Sequence, residues 1–346
     1  AVRAVRRAAL AAALAARGCG RAQAPAPALS PEDAAVREVK RYVDAQASAL
    51  ARAAEALCAA APADAGWSPA THRDAVLAMR ARWREARVAY ERIEGAIAIL
   101  FPEIDRDVDG RYEHVAELRA DDAPFDDRGF VGMHAIERIL FADAHAPEVV
   151  AFERALPGYA PPRTPGDVAE ARAFSEGLCA RLVRDVRTME RQLAPLALDA
   201  PTAFRGIQGS VEEQAEKVLL GATGQDESRY ARHTLADMRA NLGGGRAVLG
   251  GFDGLLRASE GGAARLAALD AGFAQLERAY AALEGDALPD VPEGFDPDAP
   301  SEAHLATAYG RLFTLLSRAS DPEADGSLAA ALRAAGDALG IAPLGR

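Results

Sequence analysis

Aromatic residues make up only 6% of the 346 residues, cysteines number three, and no run rich in lysine or arginine occurs after the first few positions. With half of the residues hydrophobic and alanine abundant, the shortage of aromatics favours helices over sheets. The missing basic runs, on a formal net charge of -11, leave nothing to neutralise a phosphate backbone, so a nucleic-acid partner is excluded. No stretch shows the period-two alternation of a strand, and the expected class is all-α. Glycine-rich phosphate loops, the G-x-S-x-G elbow and C-x-x-C-H haem attachment are also missing. The two common zinc-peptidase helices fail as well, because residue 135 is Ala and residue 138 is Arg around His134 and Glu137. Cys58 and Cys179 each sit inside an amphipathic helical pattern and read as buried free thiols rather than a disulfide.

What is present begins with a targeting pattern. Arg3, Arg6 and Arg7 precede an apolar run from Ala8 to Ala16, too short to span a bilayer but shaped like a secretory signal. Gly18-Cys19 resembles a lipoprotein cleavage site. The expectation is a signal segment over 1–19, with Cys19 as a lipid anchor and the only membrane contact, followed by a flexible tether over 20–30 that contains Pro25 and Pro27.

Ser30-Pro31-Glu32-Asp33 signals a helix start, and the helix should run to about residue 61. The next, from about 68 to 100, carries a seam at Val76, Met79, Trp83, Ala86, Tyr90, Ile93, Ile97 and Leu100, as in a helix packed lengthwise in a bundle. An acidic turn follows at Glu103 to Gly110. Its D-x-D-x-D-G spacing resembles a calcium loop, but Ala116 stands where the bidentate Glu is needed. Further helices are expected at about 167–196, 201–220, 229–238, 263–284, 302–319 and 326–339.

The chemistry concentrates in Phe130 to Phe141. Phe130, His134, Glu137 and Phe141 fall at i, i+4, i+7 and i+11, which places an imidazole and a carboxylate on a stripe that should be core. A buried carboxylate needs a partner or a cation, although an i, i+3 pair on a helix surface is the simpler reading of an isolated H-x-x-E. Glu94 lies at the edge of the packed seam and can turn inward; Glu91 is more peripheral.

Gly132-Met133-His134-Ala135-Ile136-Glu137 with Leu140-Phe141 resembles the G-x-H-x-x-E signature of the imelysin family. Tyr90-Glu91-Arg92-Ile93-Glu94, the Asp105 to Asp109 turn, Ser228-Arg229-Tyr230 and His233-Thr234-Leu235 are similar to the EfeO type within it, in a short form without a cupredoxin domain. The resemblance implies two packed helical bundles, here 31–165 with the metal motifs and 166–346. It also implies a periplasmic or cell-envelope location, and iron uptake beside a membrane permease and a haem-peroxidase-like partner. Carried over, the metal ligands are His134, Glu137, Glu94, Glu91, Asp109 (with Asp107 as its rival) and, on a looser match, Glu216. One imidazole among carboxylates suits iron, or zinc or another divalent cation, better than soft copper(I). Two other readings stay open: a metallopeptidase with Glu137 or Glu94 as general base on metal-bound water, and a binder of anionic polysaccharide through Arg82, Arg84, Arg87 and Arg92.

Overall fold

The computed structural model describes residues 29–341, and among these no strand is present. The stretches expected to be a signal segment and most of a tether lie outside the described residues. The described residues from Pro31 onward form one compact unit. No helix among the described residues is long and apolar enough to cross a membrane.

Helix α1 (Pro31–Ala59) opens with proline at its first position and Glu32 and Asp33 in its first turn, where the helix dipole favours acids. It lies along α2 (Arg73–Glu91). Helices α3 (Glu94–Leu100), α4 (Pro102–Asp109) and α5 (Glu113–Ala116) follow in quick succession. After a loop come α6 (Met133–Leu140) and α7 (Pro147–Arg154). Next, α8 (Val168–Arg172) passes through a π-helical segment (Ala173–Cys179) into α9 (Ala180–Leu193), and α10 (Ala200–Gly221) starts from an Asp199 cap. The last group is α11 (Thr234–Gly251), α12 (Asp253–Ala258), α13 (Gly262–Ala281), α14 (Glu302–Leu305), α15 (Ala308–Ala319) and α16 (Leu328–Ala338).

The seam expected on α2 is core: Val76, Met79, Trp83, Ala86, Tyr90, Ile93 and Ile97 are all buried. Around it α1 packs on α2, α9 and α11, while α10 packs on α3, α11 and α15. The rod after residue 166 packs on α1 and α4.

Three local expectations change. The helix read as continuous from 68 to 100 breaks after Glu91, and α3 begins at Glu94. At that break α11 comes close: a Cβ on Gly244 would lie 2.3 Å from the Arg92 carbonyl oxygen, so only glycine lets the two backbones meet. The acidic turn is a helix, α4. Its residues two apart point in nearly opposite directions, so the three aspartates cannot close around a calcium ion. The helix expected from Arg229 starts only at Thr234, because residues 228–233 fold into a turn closed by the His233 N–H on the Ser228 carbonyl (3.0 Å), with Arg232 at φ 52°.

The two inward cysteines are also corrected. Cys58 at the end of α1 and Cys179 at the end of the π segment form a disulfide, with Cα atoms 5.5 Å apart. Helical periodicity turned each thiol inward, but 121 residues separate them and only the α1–α9 packing makes them neighbours. Closing so long a loop restricts the unfolded chain, so reduction, or Cys58→Ser with Cys179→Ser, is expected to lower unfolding stability by about 2–5 kcal/mol. Chemical denaturation with and without reductant measures this; coincident curves would show that the bond contributes nothing.

Candidate metal centre

Gly132 starts α6 at φ 90°, and a Cβ there would fall 2.5 Å from the carbonyl oxygens of Asp107 and Val108. The glycine of the G-x-H-x-x-E stretch therefore lets the start of α6 rest on the end of α4. This contact sets the imidazole of His134 beside Asp109, with Nε2 3.2 Å from Oδ1.

Behind the ring sits Glu137. Its Oε2 receives the His134 Nδ1–H at 2.7 Å, and its Oε1 receives the backbone N–H groups of Tyr230 (2.9 Å) and Ala231 (2.8 Å) from the 228–233 turn. Both oxygens are engaged as acceptors, so Glu137 is a carboxylate whose work is to fix the tautomer of His134. The lone pair of Nε2 then faces the acids. Among the described residues that nitrogen, buried with the rest of a side chain only 2% exposed, has no hydrogen-bond partner.

The acids it faces form a nest around two cations. The guanidinium of Arg87, fully buried on α2, contacts Glu91 and Asp109, lies 2.9 Å from Glu227 and 3.6 Å from Asp237. The ammonium of Lys217 on α10 lies 2.7 Å from Glu91, 2.8 Å from Glu94, 2.7 Å from Glu227 and 4.0 Å from Glu213. Six carboxylates thus share two positive charges. Asn241 on α11 donates to Glu94 (2.8 Å) and Glu213 (2.6 Å) and accepts from Gln214 (2.9 Å), which itself accepts from Tyr280 (2.6 Å).

The excess negative charge shows in the proton affinities. Glu227 sits between Lys217 and Arg87, which hold its carboxyl well below the ordinary range against the cost of burial. Glu94 is lowered by Lys217, again against burial. Burial pushes Glu91, Asp109 and Glu213 up, helped in each by neighbouring glutamates, and holds Asp237 up at about 7. Asp105, under the Tyr90 hydroxyl at the outer edge, is likewise raised to about 7 by burial. Burial also lowers the pKa of His134, which keeps its ring neutral. Without a further cation, the nest reaches neutrality by holding protons.

Two sets of three donors lie within 4.8 Å of one another: Asp109, His134 and Glu227, and Glu91, Glu94 and Glu227. Of the residues singled out in the sequence, His134, Asp109, Glu91 and Glu94 are brought together, and Glu137 stands behind His134. Asp107 turns away to Arg181 (2.5 Å), two residues from Asp109 and so on the other side of α4. Glu216 is left outside: its side chain is 62% exposed and sits 3.7 Å from Arg111, because it is Glu213 and Lys217, one turn apart, that face inward. Of the arginines singled out, Arg87 is buried in the nest, while Arg82, paired with Glu85 (2.7 Å), and Arg92 line a surface groove.

Sequence reasoning missed Lys217, Glu227, Asp237 and Glu213, and gave Arg87 the wrong setting. Arg87–Glu91 and Glu213–Lys217 have the i, i+4 spacing of ordinary surface pairs. Glu227 directly precedes the Ser228-Arg229-Tyr230 block, and that adjacency was its only local signal.

The model of the imelysin family matches residues 35–319, a span that contains every residue of the nest. The chain belongs to the imelysin family. Over 170 residues it is 26% identical to the protein named iron uptake system component EfeO of Yersinia pseudotuberculosis serotype I (strain IP32953), a match covering 49% of this chain and 36% of the relative. The protein of the same name from Yersinia pestis matches equally, with 35% of its length covered. This imelysin chain is thus matched to about a third of the length of these curated relatives.

The role given to Glu137 has a consequence. Glutamine in its place keeps a carbonyl for the two backbone N–H groups but turns an NH2 toward Nδ1, which forces the hydrogen onto Nε2. Glu137→Gln is expected to fold and to lose about 10–100-fold in affinity for a divalent cation. Calorimetry beside a thermal melt checks it; unchanged affinity in a folded variant would remove the positioning role.

Proposed function

We propose that this chain binds an iron ion as the cargo of an uptake system, holding it with Asp109, His134 and Glu227. The observation that carries this reading is the partnerless Nε2 lone pair of His134, turned toward buried carboxylates that outnumber their cations. Two such acceptors meet only across a proton or a metal ion. An imidazole with carboxylate oxygens is a donor set that iron takes well, and zinc or manganese takes also. The relatives named as an iron uptake component favour iron among these.

The Cys58–Cys179 disulfide fits an oxidising compartment, as a periplasmic or cell-envelope component would meet. The permease and haem-peroxidase-like partners implied by the resemblance belong to the same proposal. A peptidase reading gains less support, because His134, Glu137 and Glu227 are buried at 2%, 0% and 3% exposure, where no polypeptide reaches them.

The test is calorimetric titration with Fe2+ under anaerobic conditions, and with Zn2+. His134→Ala and Asp109→Asn should abolish binding, while Glu216→Gln should leave it intact. Binding that survives both of the first two substitutions would defeat the proposal.

Affinity should also depend on pH in a defined sense. Asp109 and Glu91 have folded pKa values raised above the ordinary carboxylate range, so they keep protons that an entering ion must displace. Affinity is therefore expected to rise as pH climbs above the ordinary carboxylate range, where these protons come off more easily, and binding should release protons. Titrations in buffers of different ionisation heat read the proton count directly; a flat or falling profile would contradict it.

A further inference from the structure

The nest contains two three-donor groups that share Glu227, yet they are not equivalent. Nothing donates to His134 Nε2 in the first, whereas in the second a tethered cation already sits at the centre. The Lys217 ammonium donates to Glu91 Oε2 at 2.7 Å and to Glu94 Oε2 at 2.8 Å, and lies 2.7 Å from Glu227 Oε2. One ammonium carries three N–H groups, and here three carboxylates surround it.

The composition sharpens the point. Of forty lysines and arginines in the chain only two are lysine, Lys40 and Lys217. Lys40 lies on α1, paired with Asp44 at 2.6 Å. In a chain that otherwise uses arginine, the centre of the second group holds the one side chain that ends in a compact point charge. A guanidinium is a planar fork that reaches carboxylates side by side, as Arg87 does next door. An ammonium instead gathers its acids around a single atom, as the Lys217 Nζ does here.

We infer that Lys217 is a built-in substitute for a second metal ion: its ammonium fills the Glu91/Glu94/Glu227 group and limits the centre to one ion, on the His134 side. The inference rests on the proposed ion-binding role and adds its stoichiometry. Without the ammonium, the same three carboxylates, Glu227 among them as the bridge to the first group, form a second site for a hard divalent cation, and the centre becomes a two-ion one.

The experiment counts Zn2+ per chain, by elemental analysis after gel filtration and by calorimetry, with folding checked by circular dichroism. The wild type should bind one ion, Lys217→Met two, and Lys217→Met with Glu94→Gln one again. Adding His134→Ala to Lys217→Met should leave one ion, now in the new site. A wild type that binds none defeats the ion-binding role itself. A wild type that binds one, with a folded Lys217→Met that also binds one, overturns this inference alone, as does a wild type that binds two. Should Lys217→Met not fold, a wild-type crystal soaked in Mn2+ decides the matter by anomalous scattering: one peak beside His134 is expected, and a peak between Glu91 and Glu94 overturns the inference.

Discussion

Burying more carboxylates than cations is the constraint from which the rest of this structure follows. Glu91, Glu94, Asp109, Glu213, Glu227 and Asp237 crowd around Arg87 and Lys217, all within ion-pair reach of one or both. A lone ionised carboxylate is not tolerated in such a place, so each must be paired, protonated or bound to metal. Two cations satisfy two acids. The surplus sets this interior apart from a closed salt-bridge network, and it is what the proposed ion binding rests on.

The backbone serves that constraint in ways that look unrelated until the nest is considered. The break after Glu91, the glycine at 244 that lets α11 approach it, and the positive φ of Gly132 each bring a different helix to the same place. The turn at 228–233 presents two N–H groups to Glu137 and the Ser228 hydroxyl to Asp237. It also follows directly on Glu227. Acids held by six separate segments do not collapse onto one another because Arg87 and Lys217 hold them apart as well as together.

How much of this could be read from the chain depended on whether a signal was local. Class and most helices follow from periodicity, and the seam from Val76 to Ile97 is buried as its spacing requires. His134, Glu137 and Glu94 could be picked out because each is a polar residue on or beside an apolar stripe. Lys217 and Glu213 could not, because a pair one turn apart on an amphipathic helix looks like solvent-exposed decoration. The choice of Asp109 over Asp107 turned on whether residues 102–109 are helix or loop, and the pairing of Cys58 with Cys179 on which helices are neighbours. Both are tertiary facts.

The resident cations also bear on how such a site could let go of its cargo. An ion held only by carboxylates leaves behind uncompensated buried charge when it departs, which makes release steeply unfavourable. Here Asp109 and Glu227 both touch Arg87, and Glu227 touches Lys217 too. On departure of the proposed ion these acids would keep a cation within reach, and protons taken up by Asp109 and Glu91 would make good the remainder. The same groups that would limit how tightly the ion is held would therefore keep the emptied interior folded. For a protein whose proposed task is to pass an ion on, moderate grip with an intact apo state is the physically consistent design.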